Sequence, residues 1–425
     1  MHVLYFHQHF STPAGATGTR SYEMARELVA RGHQVTMVCG STSHGCTQLD
    51  SRPVRGVRRG DVDGIHVVEI CLPYSNHDGF GKRSLTFLRY AVRSVAIAAT
   101  TKYDLLFATS TPLTAALPGI VMRLVKPGRP FVFEVRDLWP ELPRAMGVIR
   151  NSLVLAAMSV LERLAYRCAH ACIGLSPGIV AGIRRRSPRD KAVALVPNGA
   201  DVTKFHPPDN RCCPGVKKKF RAVFSGAHGI ANGLDAVLDA AAVLKERNRN
   251  DVELVFIGDG KLKPQLIARA QREGLHNCRF LKPVSKTALA RLIADSDAGL
   301  MILANVAAFY YGTSPNKFFD YISTGLPVIN NYPGWLADLI GEHGCGISVP
   351  PDDPEALADA LARLADSPPL RRTMGRNARR LAEQHFNRRM LASQFAELIE
   401  NVADYKPAEG NASATNQAER FRKAA

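Results

Sequence analysis

PNGADVTKFHPPDNRCCPGVKKKFRAVFS, residues 197–225, holds the break on which the fold turns. Its first part is crowded with Pro, Asn, Asp and Lys and has no steady apolar period, which predicts an interdomain linker over 201–219. FRAVFS (220–225) then opens a second series of β-type runs: VELVFIG (252–258), CRFL (278–281), AGLMIL (298–303), PVIN (327–330) and GISV (346–349). Before the break stand HVLYF (2–6), QVTMV (34–38), IHVVEI (65–70), DLLFAT (104–109), FVFEV (131–135), ACIGL (171–175) and AVALV (192–196). Amphipathic helical stretches separate most of these runs, the pattern of parallel, doubly wound sheets. The reading is an α/β chain with two Rossmann-like domains, 1–200 and 220–387, facing each other across a cleft. A helix over 388–405 is expected to cross back to the first domain, and a flexible tail to fill 406–425.

At 425 residues, 46% hydrophobic and 22% charged, the chain has the composition of a globular protein of two or three domains. MHVLYFHQHF at its start has no basic n-region followed by a long apolar run, and no stretch is apolar enough to span a bilayer. A cytoplasmic protein is expected. Nine cysteines form no CxxC pair; Cys168 and Cys172 are placed one turn apart on a helix, and no metal site is expected.

The net charge of +17 is uneven: residues 1–200 carry 25 Lys and Arg against 13 Asp and Glu, and 201–425 carry 30 against 25. The first half therefore suits an acidic partner. GKRSLTFLRYAVRSVAIAA (81–99) sets Leu85, Leu88, Val92, Val95 and Ala99 at helical spacing beside Lys82, Arg83, Arg89 and Arg93. That spacing predicts a helix packed on the sheet through these residues, and it also serves a helix lying on a membrane surface. RRRSPRDK (184–191) adds a basic patch. No pattern of basic and aromatic residues points to nucleic acid.

Ligands of doubly wound sheets bind at the carboxyl ends of the strands, and the loops there carry the candidate residues. HQHFSTPAGATGTRSYE places Gly15 and Gly18 before a helix that starts near Thr19 and Arg20. RDLWPELP sets Arg136, Asp137 and Trp139 after a strand that contains Glu134. SGAHGIANGLD supplies Gly226, His228 and Gly229, and GDGKLK supplies Gly258, Asp259, Lys261 and Lys263. In SPNKFFDYISTGLP (314–327), Ser314 reads as an N-cap and Pro315 as the first helical residue, with Asn316 and Lys317 following. Free N–H groups and a lysine at such a start form an anion site, and Asp320 lies one turn on.

With these loops in view, the chain resembles retaining, GT-B-fold nucleotide-sugar glycosyltransferases of family 4. The likeness runs from about residue 2 to about 403 and is strongest to the subgroup that assembles bacterial surface polysaccharides such as O-antigen, capsule and exopolysaccharide. It is carried by GTRSYEMARELVARGHQVTMV (18–38), VRDLWPELP (135–143), LERLAYRCAHACIGLSPGI (161–179), VPNGAD (196–201), GAHGIANGLDAVL (226–238), FIGDG (256–260) and SPNKFFDYISTGLPVI (314–329).

The resemblance implies that the second domain binds a nucleotide diphosphate sugar, a UDP-sugar by preference. Gly226 to Gly229 would line the donor cleft, Pro283 and Val284 would meet the base, Ser314 to Lys317 would hold the diphosphate, and Asp320 would bind the ribose. Gly312 stands where the family's EX7E motif has its first Glu. The acceptor, on the first domain, would be a polyprenyl-diphosphate-linked saccharide, met at an anionic membrane surface. Asp137 and Glu134 are the candidate bases, with Arg136 either a functional partner or an ion pair to Asp137, and no cofactor is required. A nucleotide-sugar epimerase of the same architecture is the alternative, and a nucleic-acid binder is the reading from another class.

Overall fold

The computed structural model describes residues 1–75, 78–208 and 219–404. Residues 209–218 of the expected linker, with Cys212 and Cys213, and the tail from Tyr405 onward lie outside the described residues. The chain forms two units: residues 1–197 with 312–314 and 389 onward, and residues 198–311 with 315–388.

In the first unit, eight strands run β1 (His2–Phe6), β2 (Gln34–Thr42), β3 (Val57–Val62), β4 (Ile65–Tyr74), β5 (Leu105–Thr109), β6 (Phe131–Val135), β7 (Ala171–Gly174) and β8 (Ala192–Leu195). Their order across the sheet is β3-β4-β2-β1-β5-β6-β7-β8. All pair in parallel except β3 with β4. The helices are α1 (Arg20–Ala30), α2 (Phe80–Thr100), α3 (Leu117–Val125), α4 (Glu141–Ala145), α5 (Ser152–Cys168) and α6 (Pro177–Arg186). Alternation along β1 supplies both cores: Val3 and Tyr5 join one cluster with Phe107, while Leu4 and Phe6 join the other with Phe133 and Tyr166.

The second unit carries β9 (Phe220–Ser225), β10 (Val252–Ile257), β11 (Cys278–Leu281), β12 (Ala298–Met301), β13 (Val328–Asn330) and β14 (Gly346–Ser348), all parallel, in the order β11-β10-β9-β12-β13-β14. This is the mononucleotide-binding order, with its switch point between β9 and β12. Its helices are α7 (Asp235–Glu246), α8 (Lys263–Arg272), α9 (Lys286–Ala294), α10 (Ala307–Tyr310), α11 (Asn316–Ser323), α12 (Trp335–His343), α13 (Pro354–Asp366) and α14 (Pro368–His385). Residues 198–208 pack within this unit: buried Phe205 accepts hydrogen bonds at its carbonyl from Ser323 Oγ (2.7 Å) and Arg379 Nη1 (3.0 Å). The last helix, α15 (Arg388–Ala403), sends Phe395 and Ile399 into the first unit's core, where Phe395 meets Phe107 edge-on at 5.1 Å.

Four expectations are corrected. Strand β3, with the charged sequence VRRGDV, escaped the hydrophobic reading. Cys168 and Cys172 share no helix, because α5 ends at Cys168 and Cys172 lies in β7. Helix α11 begins at Asn316 after Pro315, which takes the cap position, so the Ser-Pro start is displaced by one residue. Helix α2 lies on the sheet through a different face from the one expected. Tyr90, Ala91, Ser94 and Ala98 are buried, and the Tyr90 hydroxyl donates to Val38 O at 2.8 Å. Small residues around one hydroxyl-bearing ring let the helix approach closely, which leaves Leu85, Leu88 and Val92 exposed, Val92 at 62%.

Candidate active site

In the second unit the site grows from the switch point. The backbones of the loops after β9 and β10 meet so closely that a Cβ at Gly258, where φ is +146°, would lie 1.9 Å from Gly226 O. Only glycine fits there. Gly226 itself has φ +148°, and its N–H donates to Ile257 O at 2.9 Å. Lys263 Nζ donates to Gly258 O (2.7 Å) and Leu281 O (2.6 Å), fastening the ends of β10 and β11.

Helix α11 is set by its aromatic residues. Tyr321 fills the space that Gly299 leaves on β12, and its hydroxyl accepts the Ser225 N–H at 2.8 Å. That anchorage brings Lys317 against the glycine loop, with its Nζ 3.4 Å from where a Cβ on Gly226 would stand. Lys317 Nζ donates to Asn232 Oδ1 (2.7 Å) and lies 4.0 Å from the centre of the Phe224 ring, while Asn232 Nδ2 donates to Ala227 O (2.7 Å). No carboxylate pairs with Lys317 among the described residues, and burial lowers its pKa to about 7. A half-buried lysine held by a neutral amide and a ring is poised for an anion.

His228 is fully buried beside Phe224, Phe256 and Phe280, and neither ring nitrogen has a partner among the described residues. Burial first, then Lys263 and Lys317, pull its pKa down to about 4, so the ring is neutral at pH 7. Asp320 is 1% exposed; its Oδ2 accepts from Lys286 Nζ at 2.8 Å and its Oδ1 is unpartnered among the described residues. Lys286, the second residue of the Ser285-capped turn into α9, was not singled out by sequence. Gly229, Pro283, Val284, Ser314 and Asn316 are half-buried, and Lys261 is exposed.

In the first unit the structure separates the expected residues. Glu134 is fully buried and accepts from Arg20 Nε (3.0 Å), Arg20 Nη2 (2.8 Å) and Thr109 Oγ1 (2.8 Å). Arg20 also donates to the carbonyls of Pro197 (2.6 Å) and Val196 (2.9 Å). The pair ties α1 to β6 and to the chain after β8, and both groups are spent on that structure. Gly15 is a packing glycine, since a Cβ there would lie 2.3 Å from Ser11 Oγ; Gly18 is half-buried and Thr19 buried.

Asp137 is held differently. It accepts from Thr111 Oγ1 at 3.1 Å and forms no ion pair with Arg136 among the described residues. Its pKa is raised by burial, against the opposing pull of Arg136. Arg136 Nη1 stands 3.3 Å from His7 Nε2, and His7, buried and facing Arg136, is held well below the usual imidazole range. Trp139 is half-buried with its indole N–H unpartnered among the described residues. Sequence missed an aromatic cluster in this unit, where Tyr74 and Phe87 stack at 5.6 Å, His9 lies tilted 4.7 Å from the Tyr74 ring, and Arg83 lies 5.5 Å from the centre of that ring. Among the described residues no three His, Cys, Asp or Glu side chains gather as a metal site.

Residues 15–199 match the profile of the glycosyl transferase 4-like domain, and residues 214–381 match that of glycosyl transferases group 1. The chain carries both glycosyltransferase domains. The MMP alpha-(1->4)-mannosyltransferase of Mycolicibacterium hassiacum is 30% identical over 49% of this chain and 48% of its own. The O-antigen chain mannosyltransferase C of Escherichia coli is 26% identical over 43% and 47%. The matched region thus spans about half the length of either relative. Among solved structures, sucrose-phosphate synthase from Thermosynechococcus elongatus aligns with TM-score 0.73 at 18% identity over 94% of this chain and 98% of that one. Anabaena HepE in complex with UDP and glucose aligns with TM-score 0.66 at 20% identity over 94% and 99%. These likenesses show the GT-B fold with its two Rossmann-like domains. No helix among the described residues is long and apolar enough to cross a membrane.

Proposed function

We propose that this protein transfers a sugar, a hexose or N-acetylhexosamine, from a UDP-sugar to a lipid-linked saccharide with retention of configuration, in surface-polysaccharide assembly. The observation that carries the reading is Lys317: a lysine with no acidic partner among the described residues, set on the first turn of α11 beside the glycine loop at the switch point of the second sheet. Its charge and the helix start would stabilise the departing diphosphate, often the largest electrostatic contribution to catalysis. The UDP in the HepE complex and the O-antigen assignment of the Escherichia coli relative support the donor and the pathway class.

On this reading Asp137 is the carboxylate near the acceptor hydroxyl, with a pKa raised towards that of a useful base. The exposed apolar and basic residues of α2 support work at the inner face of a membrane. The test incubates the protein with UDP-sugars and a polyprenyl-diphosphate-linked saccharide and follows products by mass spectrometry and NMR. A new α- or β-glycosidic bond of the donor's anomeric configuration, lost in Lys317→Ala, is expected. A donor sugar inverted at one centre with no new bond would instead establish an epimerase.

A further inference from the structure

Between α4 and the start of α5 lies an open cavity of about 530 Å³, lined on one side by Pro140, the residue after Trp139. One stripe of α5 walls it, through Ser152, Leu155, Ala156 and Ser159, and Ile149, Arg144 and Arg150 complete the lining. Neither guanidinium has a hydrogen-bond or carboxylate partner among the described residues. From residue 142 to residue 161 there is no acid at all. The flanking acids are both engaged by Arg186, Glu162 at 2.6 Å and Glu141 at 3.4 Å, so the positive charge at the cavity stands uncompensated.

The neighbouring stripe of α5 is apolar and exposed: Leu153 at 79%, then Ala157, Val160 and Leu164. One helix thus carries a cationic cavity and a bare apolar face side by side. That pairing matches an anionic amphiphile, since guanidinium forks suit phosphate oxygens and the apolar stripe suits a hydrocarbon chain. We infer that this cavity binds the phosphates of the isoprenoid carrier of the acceptor, with the isoprenoid chain along Leu153, Ala157 and Val160. The inference rests on the transferase reading and adds to it the part of the acceptor that the protein grips.

The test uses the full chain carrying Trp335→Phe, so that Trp139, next to cavity-lining Pro140, is the remaining fluorescent reporter. It is titrated with farnesyl diphosphate, with inorganic pyrophosphate and with phosphatidylglycerol vesicles, while UDP binding is followed separately by calorimetry. Saturable binding of farnesyl diphosphate is expected, much tighter than pyrophosphate and weakened at least about tenfold in Arg144→Ala/Arg150→Ala and in Ala156→Glu, with UDP binding unchanged. Equal affinity in the variants, no response to farnesyl diphosphate, equally tight pyrophosphate, or a response to vesicles alone would each overturn the inference. If UDP still binds in those cases, the transferase reading stands; loss of UDP binding by the parent protein would count against that reading instead.

Discussion

Lys317 and Asp320 sit one turn apart on α11 and solve opposite problems. Lys317 has no counter-ion among the described residues, and its lowered pKa of about 7 means that the folded chain binds fewer protons than the unfolded one between about pH 7 and the ordinary lysine range. Its contribution to folding stability therefore rises with pH across that window. A diphosphate wants the ammonium form, so binding at pH 8 should draw in a proton. UDP affinity should fall by up to about tenfold per pH unit from 7.5 to 9, where the diphosphate is already ionised. Calorimetry in two buffers of different ionisation enthalpy should show that uptake in the wild type and none in Lys317→Ala; equal heats in both buffers would remove Lys317 from the anion site. Asp320 has its counter-ion in Lys286. Lys286→Met leaves the carboxylate buried and unpaired and should cost about 3–5 kcal/mol in urea unfolding, while Lys286→Met/Asp320→Asn should recover most of it. The resemblance placed Asp320 at a ribose; reading Lys286 as its partner required the fold, because 34 residues separate them and no spacing rule joins them.

At the scale of elements, α2 and α5 turn apolar residues outward where most helices of a sheet turn them in. Leu85, Leu88 and Val92 on α2 and Leu153 and Val160 on α5 are exposed, with Arg89 and Arg93 exposed beside those on α2. Leu88→Asp/Leu153→Asp should leave the melting temperature within about a degree or two, since both side chains are more than half exposed, but should abolish flotation with phosphatidylglycerol vesicles at low salt. A large fall in melting temperature would mean that these residues are core. The periodicity of residues 81–99 was legible, but not which stripe faced the sheet: Tyr90 with Ala91, Ser94 and Ala98 makes a close-packing face that hydrophobicity alone ranks below the leucines. Strand positions were legible almost throughout, because buried parallel strands are continuous apolar runs. The exception is β3, whose antiparallel hairpin with β4 had an unread signal in Asp63-Gly64, both at positive φ, the turn chemistry of a two-residue hairpin. Likewise, RRRSPRDK reads as one basic patch, yet Arg186 is bound to Glu162 and Lys191 Nζ to the carbonyl of Ala169 at the end of α5.

The chain has two cores; it leaves the first unit after Pro197, touches it again at residues 312–314 and returns to it from Arg389. The return is energetic as well as topological. Leu391, Phe395, Ile399 and Val402 of α15 lie in the cluster built on β1 and β5, and Glu400 accepts from Arg31 (3.0 Å) and His33 (2.8 Å). Phe395→Ala alone should cost the first unit about 3–5 kcal/mol, so a chain ending at residue 387 should lose that unit's stability. The second unit keeps its own core, with Phe224, Leu254, Leu300 and Ile329, and with it the Lys317 site. Scanning calorimetry of the intact chain should then resolve two transitions. UDP at 100 times its Kd should stabilise one of them by about 2.7 kcal/mol and leave the other in place. In Phe395→Ala the UDP-insensitive transition should move down while the UDP-sensitive one keeps both its temperature and its response. If the substitution lowered the UDP-sensitive transition instead, α15 would belong energetically to the second unit, and the division of the chain into a first core closed by its last helix and a second core built around α11 would have to be redrawn.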